Sequence, residues 1–203
     1  MRKFILLFII SVAFNQTYTF GTCDKTGPYG PSQSDCNNSY SDGILNGQVT
    51  VYEGIQKWIV PNDGYYSVQA TGANDGFNLG KGAIIKTEFS LFEGQSLLIL
   101  VGQDGTIGNG SGNWCASGGG GGSFVAIGDT ISTAQPLLVA GGGGGSHADQ
   151  GSPGSPGQNA SYYYNDGLGG NSDCDVNGAT GGAGFYGNAS SFSSYNFNFS
   201  NSA

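Results

Sequence analysis

Through the middle of the chain, apolar and polar residues alternate with the period of two that marks a half-buried strand. Val49 and Val51 alternate with polar neighbours, and Gly54-Ile55-Gln56-Lys57-Trp58-Ile59-Val60 follows. After Pro61-Asn62-Asp63-Gly64 comes a second β-type run, Tyr65-Tyr66-Ser67-Val68-Gln69-Ala70. Proline presets a turn backbone and glycine accepts a positive φ, so these two runs predict a hairpin. Ala83–Leu91 places Ile85, Thr87, Phe89 and Leu91 on one face. Glu93-Gly94-Gln95 reads as a turn, and Leu97–Val101 as a strand covered on both faces. Phe124–Ile127 and Leu137–Val139 complete the set. No segment shows helical periodicity or capping. Short strands divided by turns predict an all-β fold, a jelly-roll-like β-sandwich.

Glycine changes the picture. The 203 residues hold 39 glycines, well over twice the average usage of about 7%. Two runs, Gly118–Gly122 and Gly141–Gly145, abut strand candidates. No Gly-X-Y period runs through the chain, so collagen is excluded. Polyglycine buries no side chains, but it packs backbone against backbone in extended helices of three residues per turn. The expectation is a polyglycine-helix subdomain over 102–122 and 141–187, with strands over 47–140. Disorder is the alternative for such a segment. The tail, 191–203, shows no clear element.

The first residues read as a secretory leader, 1–21. Arg2-Lys3 precedes the apolar stretch Phe4–Phe14, short for a membrane span. Cleavage after Ala13, with Ser11 at −3, and after Gly21, with Thr19 at −3, both fit; an uncleaved anchor is the alternative. A polar lead, 22–46, separates the leader from a domain over 47–190. Without the leader, only Lys25, Lys57, Lys81 and Lys86 are basic against 14 acidic residues. Such a surface repels phosphate backbones, so no nucleic-acid partner is expected. No second apolar stretch approaches the ~20 residues of a membrane helix.

Four cysteines in a secreted chain predict two disulfides with three possible connectivities. Cys23–Cys36 and Cys115–Cys174 are favoured, the second as a staple across the glycine-rich region. Glycosylation sequons stand at Asn37, Asn109, Asn159, Asn188 and Asn198, with Asn15 near the leader. No Cys-x-x-Cys pair or Cys/His cluster suggests zinc.

An ordered series of motifs carries a family resemblance. It comprises Gly54–Pro61 with Gly64-Tyr65-Tyr66, then Gly80-Lys81-Gly82-Ala83 and Leu98-Ile99-Leu100-Val101-Gly102-Gln103. The two glycine-run junctions and Gly181-Gly182-Ala183-Gly184-Phe185-Tyr186-Gly187 follow. Over 47–190 the chain resembles the glycine-rich extracellular domain of the anaplastic lymphoma kinase and leukocyte tyrosine kinase receptors. The resemblance implies a tumour-necrosis-factor-like jelly roll joined to a bundle of polyglycine helices, with an extracellular role in ligand binding or assembly. This sequence carries no kinase signature such as His-Arg-Asp or Asp-Phe-Gly. It stops soon after the last motif. Two expectations follow: a free-standing secreted module, or the ligand-binding ectodomain of a longer receptor tyrosine kinase.

Reactive constellations are sparse. No phosphate-loop, dinucleotide or Gly-x-Ser-x-Gly pattern is present. His147, the single histidine, lies between Ser146 and Asp149, too close in sequence for a supported triad. Asp173 and Asp175 lack the carboxylate spacing of calcium loops. Asp104 is expected at a turn, and Trp58 as a core anchor rather than a ligand platform. Tyr162-Tyr163-Tyr164 is the best aromatic contact candidate. No catalytic residue, cofactor or metal is expected. The function expected is non-enzymatic: binding, adhesion or structure, with an extracellular protein or glycan as partner.

Overall fold

The computed structural model describes residues 16–27, 29–107 and 117–144. Strands β1 Val49–Tyr52, β2 Ile55–Ile59, β3 Gly64–Thr71, β4 Ile84–Leu91, β5 Ser96–Leu100, β6 Ser123–Ile127 and β7 Gln135–Ala140 carry the fold. Five form one antiparallel sheet in the order β1-β2-β5-β6-β7, and β3 pairs with β4 in a second. The second sheet faces β6 and β7, making the expected all-β sandwich. A jelly roll uses about eight strands; the described residues supply seven, five in one sheet and two in the other.

The apolar run at β5 behaves as expected. Every residue of Ser96–Leu100 is buried. Leu97 and Ile99 face the inter-sheet core with Val49, Trp58, Leu91, Val125 and Leu138. Leu98 and Leu100 face the other way, against Ile55, Phe124 and Ala126. The alternation of β4 also holds: Thr87 and Phe89 are half-buried and Leu91 is buried, while Lys86, Glu88 and Ser90 are exposed. Ile85, on the same face, stays 38% exposed.

The predicted hairpin does not form. β2 pairs with β1 and β5, and β3 pairs with β4 over eight positions. Pro61-Asn62-Asp63 is a corner between sheets. The fully buried Val60 ends the β2 path, its N–H bonded to Gln95 C=O and its C=O to Gly94 N–H. Asp63 then accepts from Glu93 N–H at 2.7 Å. The corner and the Glu93-Gly94-Gln95 turn therefore lock each other. The true hairpin joins β1 to β2 through Glu53 (φ 48°) and Gly54 (φ 79°). Two consecutive positive φ values are the signature of the two-residue turn that matches strand twist.

The polar lead holds a helix that periodicity does not show, α1 Gln33–Ser39. Ser32 caps it: its hydroxyl accepts from Asp35 N–H, and the Asp35 carboxylate accepts from Ser32 N–H. This reciprocal box satisfies two orphan donors of the first turn. These hydrogen bonds, with Lys25 nearby, hold the Asp35 carboxyl below its ordinary value. The helix shields the open edge of β1. Gln33 Nε2 donates to Val49 C=O at 2.9 Å, and its Oε1 accepts from Val51 N–H at 2.7 Å. One side-chain amide thus replaces a neighbouring strand, which removes an edge prone to association.

Ahead of α1, residues 16–22 cross the core as an extended strap. Tyr18 and Phe20 lie against Trp58, with ring centroids at 4.6 and 5.9 Å, and Tyr66 closes the cluster at 6.4 Å. Trp58 is 3% exposed, a core anchor as expected. Burial of such a ring is worth on the order of 5 kcal/mol as an upper bound.

Candidate functional site

Five chain segments leave the strands at one pole of the sandwich. Segment 72–76 leaves β3, 80–83 enters β4, 102–106 leaves β5, 117–122 enters β6 and 141–144 leaves β7. Antiparallel order alone brings these ends together. The segments bond to one another through their backbones. Gly118 and Gly121 N–H groups donate to Thr106 and Gln103 C=O, at 2.8 and 2.9 Å. The carbonyls of the same two glycines accept from Gly76 and Ala73 N–H, at 3.1 and 2.9 Å. Between them, Gly120 N–H donates sideways to Gly143 C=O at 2.9 Å. A bond repeat of three residues belongs to the extended three-residue helix, not to an α-helix or a strand.

Segment 72–76 is the central rod, although it lies in no glycine run. It bonds to 80–83 through Gly72 N–H and Ala83 C=O, and to 102–106 through Gly105 N–H and Asn74 C=O. It meets 141–144 where Gly143 N–H donates to Ala73 C=O, and 117–122 as above. Backbones this close leave no room for a side chain. A Cβ on Gly82 would stand 1.9 Å from Gly72 O, and one on Gly120 2.2 Å from Ala73 O. Neither residue has a left-handed φ; closeness alone demands glycine there.

Side chains pin the rods. Asp75 is 2% exposed, and its Oδ1 accepts from Leu79 and Gly80 N–H at 2.7 and 2.9 Å. Its Oδ2 accepts from Ser117 Oγ at 2.6 Å. A buried carboxylate is tolerable when donors surround it in this way. Asp104 lies on the 102–106 rod rather than in a simple turn, and accepts from Asn74 N–H at 2.9 Å. Ser123 ties the rods to the sheets: it accepts from Gly102 N–H and donates to Thr71 C=O at 2.7 Å. At the pole surface, Leu79 and Ile107 are 39% and 55% exposed, and Ile107 pairs with Ser117.

The glycine-helix region was expected over 102–122 and 141–187, of which 108–116 and 145–187 lie outside the described residues. Segments 72–76 and 80–83, not expected there, bond with its described parts. Gly102 and Gly105 carry the three-residue spacing in sequence; Gly72 and Gly76 do not, and Asp75 gave no signal of its own. Gly118, Gly119, Gly120, Gly121, Gly122, Gly141, Gly142, Gly143 and Gly144 all lie in the rods. Cys23 and Cys36 are disulfide-bonded, with Cα atoms 4.8 Å apart. Asn37 is exposed on α1, its Oδ1 accepting from Gln33 at 2.8 Å. Cys115, Cys174, Asn109, Asn159, Asn188, Asn198, Gly145, His147, Asp173, Asp175 and Tyr162–Tyr164 lie outside the described residues, as do the leader's first 15 residues and the tail.

Among the described residues, no three His, Cys, Asp or Glu side chains gather as a metal site would require. No described helix is long and apolar enough to cross a membrane. What the pole offers chemically is position: it fixes five backbone segments and displays the side chains between them.

The chain matches no protein-family model. Over 97 aligned residues it is 32% identical to the leukocyte tyrosine kinase receptor of Mus musculus. That match covers 43% of this chain and 11% of the receptor, a shorter stretch than the motif series over 47–190. Over that stretch, this chain is similar in sequence to part of the receptor, and it spans about a ninth of the receptor's length.

Proposed function

We propose that this chain is an extracellular recognition module without catalytic activity, binding a protein or glycan through a surface that its glycine bundle holds rigid. The bundle is the observation that carries this reading. Ordering glycine costs more backbone entropy than ordering any other residue, and here the expense goes into fixing chain segments rather than assembling reactive groups. The partial similarity to a receptor, the disulfide and the apolar leader support an extracellular setting. Disulfides persist in oxidising compartments.

The test is saturable binding of the secreted protein to intact cells of its source. Leu79→Asp with Ile107→Asp targets the exposed apolar residues of the pole, and Ser67→Asp on the outer face of β3 serves as control. Loss of binding in the first variant alone, with both folded, supports the reading. Equal binding by all three proteins removes the pole from it.

A second reading has its own support in the receptor match: the same domain as the ligand-sensing part of a longer receptor tyrosine kinase. Sequencing the transcript beyond the Ala203 codon decides this. A continuing frame with a membrane span and kinase motifs establishes it, and a stop codon there refutes it.

A further inference from the structure

The two leader cleavage positions are equivalent by residue size, and the fold distinguishes them. Cleavage after Gly21 would remove the strap that covers Trp58. Tyr18 and Phe20, two of the three described rings packed on that indole, would go with the leader. So would Gly21, which closes a ring of hydrogen bonds deep in the fold. Gly21 N–H donates to Tyr40 Oη at 3.0 Å, Tyr40 donates to Gln56 Oε1 at 2.7 Å, and Gln56 Nε2 donates to Gly21 C=O at 2.8 Å. Gln56 is fully buried and Tyr40 is 9% exposed. Without Gly21, the Gln56 amide keeps a donor and loses its acceptor, which is the costly way to break a buried hydrogen bond. The new terminal ammonium on Thr22 would also stand next to Cys23, which is 3% exposed and anchors the disulfide to α1.

We infer that the processing site is the Ala13–Phe14 peptide bond, so that the mature chain begins two residues before Gln16 and keeps the whole strap. This rests on the extracellular reading proposed above. A leader peptidase hydrolyses the bond: water gives its hydroxyl to the Ala13 carbonyl carbon and a proton to the Phe14 nitrogen. Ser11 and Ala13 supply the small residues required at −3 and −1. The Asn15-Gln16-Thr17 sequon then stays in the mature protein, at its second position.

The experiment is terminal sequencing and intact mass of the secreted protein, expressed from Met1. A Phe14 terminus is expected. A Thr22 terminus, eight residues shorter, overturns this inference and leaves the extracellular reading standing. A chain retained in the cytosol with Met1 intact overturns both. Processing of the nascent chain by isolated secretory membranes gives a readout independent of folding. There, Ala13→Leu is expected to abolish cleavage, and unchanged cleavage of that variant overturns the assignment.

Discussion

Two neighbouring glycines of one run, Gly120 and Gly121, are expected to respond very differently to the same substitution. A Cβ on Gly120 would sit 2.2 Å from Ala73 O and 2.5 Å from both Ala73 C and Asn74 O. Ordinary contact begins at 3.4 Å, so the central rod would have to retreat by more than an ångström. It is held by Gly143 N–H to Ala73 C=O and by Ala73 N–H to Gly121 C=O. Overpacking costs about 1–3 kcal/mol, and the two strained backbone bonds about 1 kcal/mol each. Gly120→Ala should therefore lose about 3–5 kcal/mol. A Cβ on Gly121 would meet Gln103 N at 3.2 Å and Gly102 Cα at 3.3 Å, which a shift of a few tenths of an ångström relieves; about 1 kcal/mol is expected there. Gly43→Ala is the control, with its nearest atom at 3.7 Å and a gain of about 0.5 kcal/mol from the stiffer unfolded chain. Urea unfolding reads all three. With a slope of about 1–3 kcal/mol per molar, the Gly120 variant's midpoint falls by on the order of 2 M. Equal, small shifts at Gly120 and Gly121 would refute the packed-rod account, because a flexible linker is indifferent to which glycine is changed.

Gln33→Ala removes the side-chain amide that closes the β1 edge; about 1 kcal/mol should be lost, and Val51 N–H should lose its hydrogen-exchange protection. Replacing Cys23 and Cys36 by Ser opens a link between residues 13 apart, and about 3 kcal/mol should go in the chain-entropy account, seen as a lower melting temperature. The Asp129 carboxyl is held below its ordinary value of 3.8, first by the Ser96 hydroxyl and then by Lys57. Its folded-state pKa is depressed, so its contribution is present above pH ~3.8 and lost as pH falls through the lower folded value. Asp129→Asn should therefore flatten the acid limb of the stability profile, and an unchanged limb counts against the pairing. Burial pushes the Tyr40 phenol above 10.0, against the bonds to Gly21 and Gln56. A raised phenol favours the fold below that value, and this advantage is lost as pH rises through the folded value. Tyr40→Phe should remove that alkaline dependence in a stability titration.

What the sequence made legible depended on whether one residue's neighbours in the chain are also its neighbours in the fold. The strands are of that kind: period two at β4 and a continuous apolar run at β5 report their own burial. The Cys23–Cys36 pair is nearly so, because 13 residues with a short helix return one to the other. Pairing partners are not. Pro61-Asn62-Asp63-Gly64 has the chemistry of a hairpin turn, yet the adjacent Val60 is claimed by Gln95 and Gly94, more than thirty residues on. Helix α1 was missed: it buries only Cys36 and so has no periodicity, and the Ser32 and Asp35 spacing of its capping box was the one local signal, which the reading of no capping passed over. In the bundle, the polyglycine runs announced themselves. The central rod did not, because its middle residues, Ala73, Asn74 and Asp75, are ordinary.

That centrality explains why the axis needs glycine only at Gly72 and Gly76, where a Cβ would meet Gly141 O at 2.0 Å and Thr106 C at 2.5 Å. In a three-residue helix, side chains point out on three lines, and a rod surrounded on all sides needs glycine only where a line meets another backbone. Ala73 and Asn74 project where neighbours leave space, and Asp75 turns its carboxylate into a clamp for Leu79, Gly80 and Ser117. Two of the outer rods have the opposite problem. Segments 117–122 and 141–144 approach the centre and each other with bare backbone, so glycine recurs along them at nearly every step, whereas 80–83 and 102–106 carry two glycines each. Because glycine contributes almost no apolar burial, nothing but backbone hydrogen bonds and a few side-chain clamps offsets the ordering cost of about 1–2 kcal/mol per residue. Such a balance is cooperative by construction: each rod is ordered only by the others, and all five are anchored at strand ends that the hydrophobic core has already fixed. The sandwich therefore supplies the stability and the bundle the shape, and a surface displayed at the pole inherits the rigidity of both.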